Sequence, residues 1–102
     1  MKREKSIELL NMAVNDELLA VHQYMYFHFR CDDMGFDLVS SLFKRVAIQE
    51  MMHVEQLAER ILFLKGEVDM KVTGEVLKLT NVKDMLEQAV KMETETVDAY
   101  NK

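Results

Sequence analysis

The sequence contains no proline, three glycines and one cysteine. Each shortage excludes something. The two residues that most strongly interrupt long helices are absent or scarce, so extended helical runs are expected. The single cysteine, Cys31, excludes an internal disulfide, a four-cysteine zinc site and a rubredoxin-type iron centre. No stretch is apolar for long enough to span a bilayer. The opening MKREKSIELL lacks the apolar core of a secretory signal, so a cytoplasmic protein is expected. Basic charge is also short: 13 Lys and Arg stand against 18 Asp and Glu, for a net charge of −5. That balance argues against nucleic acid or an anionic membrane as the main partner.

What is present suits a single domain over residues 1–102, with about half the residues hydrophobic. A chain of this size buries roughly 65% of its unfolded surface, which leaves little margin for uncompensated buried charge. The pattern predicts an all-α fold with helices over about 6–33, 36–65 and 81–102. Ser6 is the expected N-cap of the first. Met34-Gly35 makes the turn, and Gly66 stops the second helix. Residues 67–80 lack a helical period and read as a long crossover. Asn81 is a good N-cap for the third helix.

Each helix carries an apolar stripe at helical spacing, and each stripe is interrupted near its middle by an ionisable residue. The first reads Ile7, Leu10, Val14, Glu17, Val21, Tyr24, His28. The second reads Val39, Phe43, Val46, Glu50, His53, Leu57, Leu64. The third reads Val82, Leu86, Ala89, Glu93, Thr96, Tyr100. His28 reads as a satisfied core or subunit-contact histidine, and His22, off the stripe, as exposed.

A carboxylate on a core stripe costs on the order of several kcal/mol unless something compensates it. A divalent cation is the largest local positive charge a site can hold, and it would offset that cost. Glu50 and His53 are three residues apart, so both lie on one helix face. At 1.5 Å per residue, Glu17 stands ~27 Å from the Gly35 turn, His53 ~27 Å and Glu50 ~22 Å. In an antiparallel hairpin these residues share one level. Carboxylates with one imidazole suit iron or manganese better than structural zinc. One Glu on a helix with Glu-x-x-His on its neighbour is half of the di-iron carboxylate set of ferritin-like bundles.

At these residues the sequence resembles bacterioferritin. Asn15-Asp16-Glu17-Leu18 with His22-Gln23-Tyr24 is similar to that family's first-helix metal motif. Ile48-Gln49-Glu50-Met51-Met52-His53 is similar to the second, although the family usually has an acidic residue where Gln49 stands. Arg60-Ile61-Leu62-Phe63-Leu64 before Gly66, and Val82 to Leu86 with Glu93 downstream, extend the likeness over nearly the whole chain.

The resemblance implies a ferritin-like helical bundle whose site residues are Glu17, Glu50, His53 and Glu93. Glu50 would bridge two irons, Glu17 and Glu93 would be terminal carboxylates, and His53 a terminal imidazole. Tyr24 would lie beside the site. It also implies a ferroxidase that oxidises ferrous iron with dioxygen or peroxide and stores ferric mineral in a 24-subunit homo-oligomeric shell. Haem b at a subunit two-fold would be held by Met51. The family's crossover proline has no counterpart here. Nor does its fourth helix, which brings a second Glu-x-x-His, so a chain incomplete at its C-terminus is expected. A short chain completing its site by two-fold symmetry, as encapsulated ferritins do, is the competing expectation. A non-storage di-iron oxidase or peroxidase and a metal-free helical interaction module are the rival functions.

Overall fold

The computed structural model describes the backbone of residues 2–100 and the side chains of residues 2–95. Among these residues there are three α-helices and no strand. Helix α1 spans Lys2–Asp33, α2 spans Asp37–Phe63 and α3 spans Val82–Tyr100. The molecule measures 50 × 23 × 19 Å, the shape that long helices packed side by side impose.

Helix α1 begins before Ser6, which lies inside it. Residues 2–5 are Lys, Arg, Glu and Lys, all good helix formers, and Glu4 in the first turn complements the helix dipole. The helix therefore has no reason to wait for a capping hydroxyl. Its other end closes as expected at Gly35, whose φ of +82° suits the left-handed position of a helix stop. The backbone N–H of Phe36 donates to Cys31 O at 2.9 Å and that of Gly35 to Asp32 O at 3.1 Å.

Helix α2 ends in the same motif, but Lys65 takes the left-handed position at φ +66° rather than Gly66. The backbone N–H of Gly66 donates to Ile61 O at 3.0 Å. Gly66 is small for a different reason: a Cβ there would lie 2.8 Å from the Ile7 side chain. The end of α2 thus packs against the start of α1. Asn81 caps α3 as expected, its Oδ1 accepting from the backbone N–H of Lys83 at 2.8 Å.

Residues 64–81 return along α1 without regular structure, and amide side chains of α1 hold them. Asn11 donates to Glu67 O at 2.9 Å and accepts from the N–H of Asp69 at 3.0 Å. Asn15 accepts from the N–H of Lys71 at 3.0 Å. Gln23 donates to Leu77 O at 2.9 Å and accepts from the N–H of Leu77 at 2.7 Å. Residues 11, 15, 19 and 23 form one face of α1 at four-residue spacing, and Leu19 completes it beneath Gly74. Buried backbone groups need partners, and here side chains provide them where a strand neighbour is lacking. The connection therefore runs parallel to α1 and delivers α3 to the turn end of the hairpin.

The core falls into two apolar clusters. One holds Tyr24, Phe27, Cys31, Phe43, Ala47 and Met85. The other holds Val14, Val54 and Ile61, with Ile7, Leu10, Leu18, Leu57 and Val68 packed against it. On α1 the boundary between them falls at Glu17, and on α2 at Glu50. In α3 the fully buried residue is Met85, whereas Leu86, expected on the inward stripe, is 40% exposed. Contact with α1 decides that rotation: the Cys31 thiol donates to Met85 Sδ at 3.6 Å. Thr96 and Tyr100, read on the same stripe, lie outside the described side chains. His28 is half-buried, and its Nδ1 lies 2.9 Å from Ser40 O. The Ser40 hydroxyl returns a bond to His28 O at 3.1 Å, so the pair clamps α1 to α2. His22 is exposed.

Candidate metal centre

Between the two apolar clusters lies a layer of acid. Glu17 from α1 and Glu50 from α2 are both 7% exposed. Glu17 is one turn beyond Val14 and Glu50 one turn before Val54, so burying those two valines also buries the carboxylates. His53, one turn after Glu50, reaches the same level but faces outward, its side chain 52% exposed. Its Nδ1 lies 3.7 Å from Glu17 Oε2 and 3.6 Å from Glu50 Oε2. One ligand atom from each of the three lies within 4.8 Å of the other two.

Two carboxyl groups this close and this buried do not both ionise easily. Burial, a hydrogen bond to Glu50 and the charges of Glu50, Glu93 and Asp16 raise Glu17 from 4.5 to about 9. Without a cation the pair retains a proton at neutral pH. Glu17 Oε2 is also buried without a hydrogen-bond partner. An unsatisfied buried oxygen is costly, and the imidazole beside it is too far for a hydrogen bond. This donor set of two carboxylates and one ring nitrogen fits a hard or borderline divalent cation such as ferrous iron or manganese.

Glu93 stands apart from that trio. It is exposed on α3, and its Oε1 accepts a hydrogen bond of 2.7 Å from the Tyr24 hydroxyl. Tyr24 is 1% exposed, and burial together with the bond to Glu93 pushes its hydroxyl further above the usual phenol range. Tyr24 also stacks on Phe43, ring centroids 6.1 Å apart, which fixes where its hydroxyl points. Glu93 shares with Glu50 and His53 one cleft of about 520 Å³ between α2 and α3, and Glu17 lies behind them, outside its lining. Leu42 and Val46 form one wall, Leu86 and Val90 the other, and Glu50 and His53 line it as well. Gln49 also borders the cleft, so its side there is neutral where an acidic residue would add a fourth charge. Met51 does not line the cleft and is 54% exposed.

What sequence reasoning missed is the role of the amides Asn11, Asn15 and Gln23 in holding the crossover. Their four-residue register on α1 is visible in the sequence. An amide gives no sign of whether it meets solvent or a returning chain.

A model of the ferritin-like domain matches residues 7–102. The bacterioferritin of Desulfovibrio desulfuricans is 39% identical over 100 residues, covering 98% of this chain and 56% of that protein. The bacterioferritin of Brucella melitensis is 35% identical over 102 residues, covering 98% of this chain and 63% of that protein. The chain therefore spans a little over half the length of these relatives. In structure it is similar to the D. desulfuricans bacterioferritin, whose diiron site has been described by X-ray crystallography in different catalytic states. The TM-score is 0.92 at 39% identity, with 97% of this chain and 58% of that one covered.

Proposed function

Because the chain belongs to the ferritin-like family, we propose that it binds ferrous iron through Glu17, Glu50, His53 and Glu93 and takes part in its oxidation and storage. The observation that carries this reading is the buried pair Glu17 and Glu50, with one oxygen left unpartnered beside an imidazole. Iron bound there supplies the redox chemistry, ferrous becoming ferric as electrons pass to dioxygen or peroxide.

The chain's own residues do the rest. Glu17 and Glu50 stand at nearly equal distances from His53 Nδ1, 3.7 and 3.6 Å, and Glu50 would be the carboxylate shared between two ions. Binding must expel the proton that the Glu17–Glu50 pair retains, so affinity rises with pH up to about 9. Anionic oxygens favour the more highly charged ferric state, which assists electron loss. The apolar walls of the cleft limit water around these charges, so the field of the carboxylates is strong there.

Glu17, Glu50, His53 and Glu93 make three carboxylates and one imidazole, while a paired-iron bundle site uses four carboxylates and two imidazoles. We place the remaining ligands on a further helix or a second copy of the chain, seated over the cleft. The whole protein then assembles as a cytoplasmic homo-oligomeric shell. Met51, whose thioether is exposed, would be the residue to hold haem at a two-fold contact, and haem there would supply electron transfer.

Anaerobic loading with ferrous iron followed by air tests the central reading. Oxidation should outpace the protein-free rate. An equal rate in the assembled protein refutes the proposal, and the assembled mass measured alongside tests the shell.

A further inference from the structure

Glu93 reaches the level of the centre from a helix that touches the hairpin sparingly. Two adjacent residues of α1 hold the segment that carries it. Gln23, 4% exposed, pairs both its amide groups with the backbone of Leu77, at 2.9 and 2.7 Å. Tyr24 holds the Glu93 carboxylate at 2.7 Å. Between these anchors lie Leu79 and Val82, packed on the core cluster, and the Asn81 cap that starts α3.

The two anchors do different things. An amide that both donates to and accepts from one residue fixes which residue stands there, because a slip by one residue presents a backbone whose groups point the other way. Gln23 therefore sets the register of the crossover. With α3 capped at Asn81, Glu93 follows 12 residues later at 1.5 Å each, so its height is set from Leu77 onward. Tyr24 then fixes where the carboxylate points.

We propose that Gln23 and Tyr24 are positioning residues for Glu93, and that Gln23, which touches no metal-ligating atom, governs metal affinity through it. This rests on Glu93 being a ligand, as proposed above, and names what delivers it. When a cation enters beside Glu17 and Glu50, the Glu93 carboxylate is already held at that level.

The test is cobalt(II) binding to the chelator-treated protein, followed by the visible absorption of the bound ion, which reports its ligands without any turnover. Gln23→Leu keeps the side-chain volume and removes both backbone bonds. It should weaken binding roughly 10-fold, the scale on which residues supporting a ligand act. Glu93→Gln should weaken it as well. The deciding variant is Gln23→Leu with Glu93→Gln together: if Gln23 acts through Glu93, the double variant binds no worse than Glu93→Gln alone. A merely structural role would instead lower affinity equally in both backgrounds, and that result overturns the proposal. Should Gln23→Leu fail to fold, Gln23→Glu keeps the acceptor for the Leu77 N–H and is read in the same two backgrounds. A wild-type protein that takes up no cobalt overturns the proposed centre together with this inference. Wild-type binding with additive losses overturns this inference alone.

Discussion

The proton held by the acidic layer makes a prediction about stability. In the metal-free protein Glu17 is raised to about 9 from the 4.5 of a free glutamate. Between those values the folded chain keeps a proton that the unfolded chain has lost. Stability then falls as pH rises, because the unfolded state binds fewer protons. The Glu17 contribution is most favourable below pH 4.5, declines through the neutral range, and is exhausted above about pH 9. One proton difference corresponds to about 1.4 kcal/mol per pH unit. Water reaching the layer past half-exposed His53 lowers the folded-state value, so the proton is partly lost within the neutral range and roughly half that slope is expected there on average. From pH 6 to pH 8 the chelated protein should lose about 1.5 kcal/mol through this group, or roughly 6–12 °C in Tm for a domain of this size.

Glu17→Gln isolates the effect. The variant keeps the side chain's shape but cannot ionise, and contributions from the three histidines cancel in the difference from wild type. Urea unfolding at pH 6, 7 and 8 in a chelator should show Glu17→Gln gaining on the wild type as pH rises. Ferrous iron under anaerobic conditions, or manganese, should abolish the wild-type slope, since a cation takes the place of the proton. A wild-type-minus-variant difference that stays flat, or that moves toward the wild type with rising pH, refutes the reasoning.

Glu50→Ala removes one of the two buried carboxylates of the site, and oxidation of ferrous iron should drop to the protein-free rate in an oxygen-consumption assay. Gly66→Ala places a methyl 2.8 Å from Ile7 where the two helix ends meet. It should destabilise by about 1–3 kcal/mol in thermal unfolding, with metal binding unchanged. Lys65→Gly relieves a left-handed backbone at φ +66° and should raise stability by roughly 0.5–1 kcal/mol in the same assay.

The helices were legible because the breakers of helices are nearly missing and the apolar residues recur at helical spacing. The shared level of Glu17, Glu50 and His53 followed from rise per residue alone, since two helices joined by a tight Gly35 turn have no freedom to slide. Where tertiary contacts choose between locally equivalent options, the sequence was silent. Leu86 and Met85 are neighbours with similar apolarity, and the contact of Cys31 with Met85 decides which goes inward. Ser6 is a good cap, but the residues before it are equally good helix formers. Glu93 was expected on the inward stripe of α3, yet it is exposed and its carboxylate accepts from Tyr24. The crossover was the least legible part, because the side chains that hold it come from residues 54 to 58 positions away rather than from its own pattern.

The arrangement of the core bears on the choice between a metal centre and a metal-free helical module. A module that used its acids for a polar partner would gain by keeping them at the surface, where solvation is nearly free. Here the acids sit between two apolar clusters, Val14, Val54 and Ile61 on one side and Tyr24, Phe43 and Ala47 on the other. Those clusters supply the burial that offsets the acidic layer, and they enclose it closely enough that Glu17 Oε2 finds no protein partner. Replacing both glutamates by apolar residues would make such a hairpin more stable, as it often does for buried charge. Their cost is therefore borne without any benefit to folding. The His53 imidazole on the solvent side of the layer would supply a ligand and a route of entry together, which a purely structural acid pair would not need.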